Sequence, residues 1–333
     1  MIYVIDSISA CKFWRNSNHL LSADQYSFQE RQLTDLPANY EYLMDKHTAE
    51  DLAGMLGLPL PLYTMAPTTD SRSFAKNVKC SVRPRNLPPG SFIEIHCPGL
   101  GYEDRLLMAS PEFCFVQMAN HLSFERLVYL GFEFCGTYAT DENADFRQHF
   151  RLPLTCAESI SEYISSAHMI DGLYKARQAS QYIINGSNSP MESKIIIIMI
   201  FPFSRGGYSI KRPELNKSVG LSTTGSSILR QEKLIADALW QSEKVVMEYD
   251  SNLSHLTKEQ HARDKNRISA LSHSGYTVIP LTFNDVDSFY NTDCTFCALR
   301  KTLGMRAEEQ TLKKYKEQRR DLQNLLFSSY RTW

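Results

Sequence analysis

The most constraining stretch runs from Lys233 to Thr282, where a strand, a tight polar break, a second strand, a helix and a third strand follow one another. Leu234–Trp240 and Lys244–Asp250 are apolar-rich runs flanking Gln241–Glu243, a pattern that predicts an antiparallel hairpin. A turn centred between Ser242 and Glu243 sets Asp237 directly across from Glu248, and Asp250, two residues on, faces the same way. Like charges opposed across a hairpin cost up to about 1 kcal/mol. Either these acids fray into water, or they converge on a hard divalent cation with oxygen ligands.

The flanking segments define the rest of the second half. Ser189-Pro190-Met191-Glu192 is a helix start with proline and an acid in the first turn. It leads into Ile195–Ile198, whose β-branched side chains favour a strand. The start pattern decides for helix. Ser204-Arg205-Gly206-Gly207 reads as a loop, and with Arg205, Lys211, Arg212 and Lys217 it is the basic stretch suited to a DNA backbone. Thr257 and Gln260 form a capping box for a helix that Gly275 ends, and Tyr276–Leu281 is a strand whose Pro280 points to a sheet edge. The tail from Ala307 to Leu326 reads as a charged surface helix.

Residues 1–138 read as a separate α+β domain. Strands are expected at Met1–Ile5, Val78–Arg83, Ser91–His96 and Leu106–Ala109, with Pro88-Pro89-Gly90 turning between the second and third. Helices are expected after Ser7 or Ser9, from Thr48 as cap to Gly57, after Ser110-Pro111-Glu112, and from Ser123. Glu112 and Glu133 show no partner pattern. Thr140–Arg151 is a polar break, and 139–188 reads as a helical linker before a domain at 189–333.

Charge bears on partners. Lys and Arg total 36 against 37 Asp and Glu, so nucleic acid would have to be held by local patches rather than overall attraction. Eight scattered cysteines suggest free thiols and a cytoplasmic setting. Cys294 and Cys297 form a CxxC with no second ligand pair, so burial as small apolar side chains is expected. The apolar run Ile195–Phe201 is too short to span a bilayer. Oligomeric state leaves no signature.

Met247-Glu248-Tyr249-Asp250, His255, Asp264-x-x-Arg267 and the strand after Gly275, taken in that order, resemble the PD-(D/E)XK nuclease superfamily and its very-short-patch-repair-like endonuclease domains. The resemblance covers Ser189 to about Val286. It implies a restriction-endonuclease-like mixed sheet flanked by helices and Mg²⁺- or Mn²⁺-dependent hydrolysis of DNA. Glu192 would be the helix acid and Asp237, Glu248 and Asp250 the metal-binding acids. His255 would move the proton, and Asp264 and Arg267 would brace the site. The family's usual lysine two residues after the second acid is Asp250 here, and its following glycine is Ser251. Those departures keep open a catalytically silent DNA-binding regulator. Residues 78–138 resemble more faintly the sensory half of abortive-infection (AbiEi-type) antitoxins, which implies a prokaryotic defence or toxin–antitoxin setting and leaves a protein partner, DNA or a small signal open for the N-terminal domain.

Overall fold

The computed structural model describes residues 1–16, 33–37, 39–97, 99–140, 148–250, 258–306 and 309–327. The class is mixed α+β, and the chain divides into two compact units, Met1–Asn185 and Gly186–Trp333.

Unit 1 runs β1 (Ile2–Ile5), α1 (Ser7–Asn16), β2 (Leu33–Thr34), α2 (Lys46–Leu56), β3 (Leu62–Ala66), β4 (Val78–Val82), β5 (Phe92–Ile95) and β6 (Arg105–Ala109). It continues with α3 (Pro111–Met118), α4 (Phe124–Phe134), β7 (Tyr138–Thr140), β8 (Gln148–Phe150), α5 (Ala157–Ser166) and α6 (Leu173–Ser180). Six strands form one sheet in the order β2-β5-β6-β1-β3-β4, with β1 parallel to β6 and antiparallel to β3. Sequence neighbours β4 and β5 therefore lie far apart in the sheet, and Pro88-Pro89-Gly90 joins them without making a hairpin. The α2 cap is Asp45, whose side chain accepts the Thr48 N–H at 2.8 Å, in place of the expected Thr48.

Residues 139–185 are part of this unit, which corrects the reading of 139–188 as a linker. Buried polar contacts tie them in. Arg151 donates to Trp14 O at 2.6 Å and to Glu133 O at 2.8 Å, and Thr155 donates to Glu112. Glu133, fully buried, accepts from Arg15 Nε at 3.0 and 3.1 Å. Both glutamates thus have partners that local sequence conceals.

Unit 2 comprises α7 (Pro190–Ile200), β9 (Glu214–Gly220), α8 (Thr223–Leu229), β10 (Lys233–Trp240), β11 (Val245–Asp250), α9 (Lys258–His273) and β12 (Thr277–Thr282). Then come α10 (Phe283–Asp287), α11 (Phe289–Thr302), α12 (Glu309–Lys314) and α13 (Lys316–Phe327). The isoleucine run is helical as expected: Ser189 Oγ accepts the Glu192 N–H at 3.1 Å and Pro190 occupies the first turn, fixing the start of a helix that is buried from Ser193 to Ile200. The sheet is ordered β12-β11-β10-β9, with β11 and β12 parallel and the other pairs antiparallel. β12 is an edge strand, in keeping with Pro280, and Gly275 follows α9 at φ 84°. Val219, Leu234, Ala236, Leu239 and Val246 from the sheet pack with Leu271 of α9.

The tail differs from the expected surface helix at Arg319. Its guanidinium is buried, pairs with Asp293 at 2.9 Å and lies over the rings of Tyr208 and Phe289. The expected loop at 204–207 is a 3₁₀ turn, Phe203–Arg205, closed by Gly206 at φ 82°. A Cβ on Gly206 would lie 2.2 Å from Gln318 O of α13, so this turn is packed rather than free. Cys294 is exposed and Cys297 partly so, against the expectation of burial. No described helix is long and apolar enough to cross a membrane.

Candidate functional site

β10 and β11 pair as Ala238↔Met247, Leu239↔Val246 and Trp240↔Val245, the register set by a turn centred between Ser242 and Glu243. Past Ala238 the described pairing between them stops. Yet β10 stays paired with β9 back to Lys233, and β11 with β12 out to Asp250. The pairing of the two central strands ends just before Asp237 and Glu248, which the same register, if continued, would set opposite one another.

A fork in a sheet leaves backbone groups without ladder partners, and side chains supply them here. Asp237 Oδ2 accepts the Tyr249 N–H at 2.7 Å. Arg267 Nη2, from α9, donates to Ile235 O at 3.1 Å and to Glu248 Oε2 at 2.5 Å, linking both strands. Glu248 Oε1, in contrast, is buried and has no hydrogen-bond partner.

Glu192 approaches from the first turn of α7. Its Oε2 accepts the Asn188 N–H at 2.9 Å and Asn216 Nδ2 at 3.1 Å, while Asn216 Nδ2 also donates to Gly186 O at 2.8 Å. Asn216 sits on β9 at φ 50°, a left-handed conformation that asparagine tolerates better than most residues. Sequence reading missed it; the only available signal was an asparagine inside a strand.

The electrostatics are those of crowded acids. Burial, then the charge of Asp237, pushes Glu248 up to about 7, with Arg267 opposing. Burial raises Asp237, while the Tyr249 N–H and Arg267 pull it down. Glu192 is likewise raised, first by burial and further by Asp237, against the hydrogen bonds that it accepts. Glu192 and Glu248 each sense the charge of Asp237, and a cation beside Asp237 would relieve that repulsion.

Among the described residues, no group of three or more His, Cys, Asp or Glu side chains is arranged to hold a metal ion. The structure brings together Glu192, Asp237, Glu248 and Arg267. Asp250 ends β11 opposite Thr282, its side chain outside the described set, as is that of Asp264 on α9. His255 lies outside the described residues altogether. Within that group, Glu248 Oε1 is the carboxylate oxygen left buried without a hydrogen-bond partner, and Asp237 and Glu248 are the acids whose oxygens could hold a hard cation.

The expected basic contacts are less concentrated than the sequence suggests. Lys211 is ion-paired to Glu243, and Lys217 on β9 lies 4.0 Å from Glu214. Arg212 is exposed, and Arg205 is half-buried in the 3₁₀ turn. No protein-family model, curated protein or solved structure matches the chain.

Proposed function

We propose that unit 2 is a divalent-metal-dependent endonuclease that hydrolyses phosphodiester bonds in DNA, of the kind used in prokaryotic defence or toxin–antitoxin systems. The observation that carries this reading is the placement of Asp237 and Glu248 at the fork between β10 and β11, with Glu248 Oε1 buried and unpartnered. Asp237 and Glu248 would hold the ion, joined by Asp250, which follows Glu248 by two residues on the same strand. Bound Mg²⁺ or Mn²⁺ would polarise the scissile phosphate and acidify a water. Glu192, held by hydrogen bonds from Asn188 and Asn216, would orient that water. Arg267 holds Glu248 in position and limits repulsion within the cluster. His255, by its place in the sequence motif, is the candidate to move the proton near neutral pH.

One observation favours a second reading, a catalytically silent nuclease-like DNA-binding regulator. Arg267 already supplies Glu248 with a positive partner, and a silent site would need that counter-charge permanently. Plasmid nicking with Mg²⁺ or Mn²⁺ separates the two. Cleavage that is metal-dependent and abolished in both Asp237→Ala and Glu248→Ala supports the enzyme. Absence of cleavage, with DNA affinity that rises when the acids are removed, supports the regulator.

A further inference from the structure

Unit 1 contains a cavity of about 590 Å³ lined by Ser7, Tyr63, Lys79, Gln117 and His121, none of them part of the acid cluster. Ser7 is the first residue of α1, two beyond the end of β1, and its φ is 49°. A serine in the left-handed region is strained, and such strain persists only where neighbours over-determine the backbone. They do so here. The Ser7 N–H donates to Gln117 Oε1 at 2.9 Å, and Gln117 Nε2 donates to Asp6 Oδ2 at 3.1 Å. That buried carboxylate also accepts from Ser81 Oγ at 2.8 Å.

The arrangement aims the hydroxyl at a base. Ser7 Oγ lies 2.9 Å from Nε2 of His121, a residue 114 positions away. With the ring proton on Nδ1, Oγ donates to Nε2. Burial, then the nearby charge of Lys79, lowers the pKa of His121 and so favours the neutral ring, the form able to take a proton. The His121 ring meets Tyr63 edge-on, with centroids 6.1 Å apart. Tyr63 Oη accepts from Lys79 Nζ at 3.1 Å, which leaves its own proton for donation into the cavity. A serine that merely packed would not need this backbone, nor an open cavity in front of it. Strand-to-helix turns with strained serines are a known way to present a nucleophile.

We propose that Ser7 is the nucleophile and His121 the general base of an acyl-transfer site in unit 1 that hydrolyses carboxylic esters of small molecules. Ser7 Oγ bonds to the ester carbonyl carbon as its proton passes to His121 Nε2 and the carbonyl electron pair moves onto oxygen. Collapse breaks the bond to the alkoxy group, which leaves with the proton from His121. Water then attacks the acyl carbon, giving a proton to His121, and Ser7 departs and recovers it, releasing the acid. Met65, Phe74 and Phe113 in the cavity wall suit an apolar acyl group.

The test is labelling of the full chain with a biotinylated fluorophosphonate, followed by peptide mass spectrometry and by hydrolysis of p-nitrophenyl butyrate. The expected result is an adduct on Ser7 and ester hydrolysis, both lost in Ser7→Gly, which tolerates the same backbone. His121→Gln should slow labelling at least tenfold. Circular dichroism melts establish that each variant is folded. Absence of a Ser7 adduct, equal labelling of folded His121→Gln, or ester hydrolysis undiminished in Ser7→Gly would overturn the proposal.

Discussion

Arg267 Nη2 donates to Glu248 Oε2 at 2.5 Å, so that α9 is fastened to β11 at the carboxylate the metal reading depends on. The side chains are 36% and 15% exposed, placing the pair between surface and core in strength. Arg267→Ala is expected to lower the stability of unit 2 by about 1–2 kcal/mol in urea unfolding, since it strands a shielded carboxylate and Ile235 O. Adding Glu248→Gln should recover part of that loss. A double-mutant cycle with no coupling would show the contact to be incidental.

The same carboxylate predicts a pH dependence of stability. Its folded-state pKa of about 7 lies above the ordinary 4.5. The folded form therefore holds its proton more tightly than the unfolded form, and the contribution is complete below about 4.5 and lost as pH rises through about 7. In EDTA, Glu248→Gln should gain on wild type by about 2 kcal/mol more at pH 8 than at pH 5. Saturating Mg²⁺ should remove that advantage, because the ion stabilises only the charged wild type. Chemical denaturation at the two pH values, with and without metal, checks both statements.

How much of this was legible follows from where each constraint resides. The hairpin register was readable because the turn at Gln241–Lys244 is short and polar, and the pairs from Trp240↔Val245 to Ala238↔Met247 follow from it. Helix α7 was readable from Ser189-Pro190 despite four consecutive isoleucines, since a cap acts locally while β-propensity yields to packing. The sheet order of unit 1 was not readable. β1 takes β6 as its parallel neighbour from about a hundred residues away, and no local pattern encodes such a pairing. Distance in sequence likewise concealed Arg15 as the partner of Glu133, and His121 as the neighbour of Ser7.

The Arg15–Glu133 pair predicts a large and separable effect. Glu133 is 0% and Arg15 5% exposed, so removing one partner takes from the other a counter-charge held at 3.0 Å in the core. Glu133→Ala is expected to cost about 3–5 kcal/mol in urea unfolding of unit 1. Arg15→Met with Glu133→Leu should recover at least half of it, since an apolar pair of similar volume avoids desolvation. A double variant as unstable as the single one would mean that the carboxylate's other contacts, rather than the pair, hold this core.

Asn216 offers a way to separate backbone strain from the support of Glu192. At φ 50° a Cβ-bearing residue without a side-chain amide is strained, while glycine is not. Asn216→Gly keeps the backbone and removes the Nδ2 bonds to Glu192 Oε2 and Gly186 O; Asn216→Ala removes those bonds and adds the strain. Alanine should therefore be the less stable of the two by about 1 kcal/mol. If Glu192 orients the attacking water, both variants should lose metal-dependent nicking by a similar factor of about ten, because each frees the same carboxylate. Nicking that tracks stability, falling further in alanine than in glycine, would assign Asn216 to the scaffold and leave Glu192 positioned by Asn188 and its helix turn.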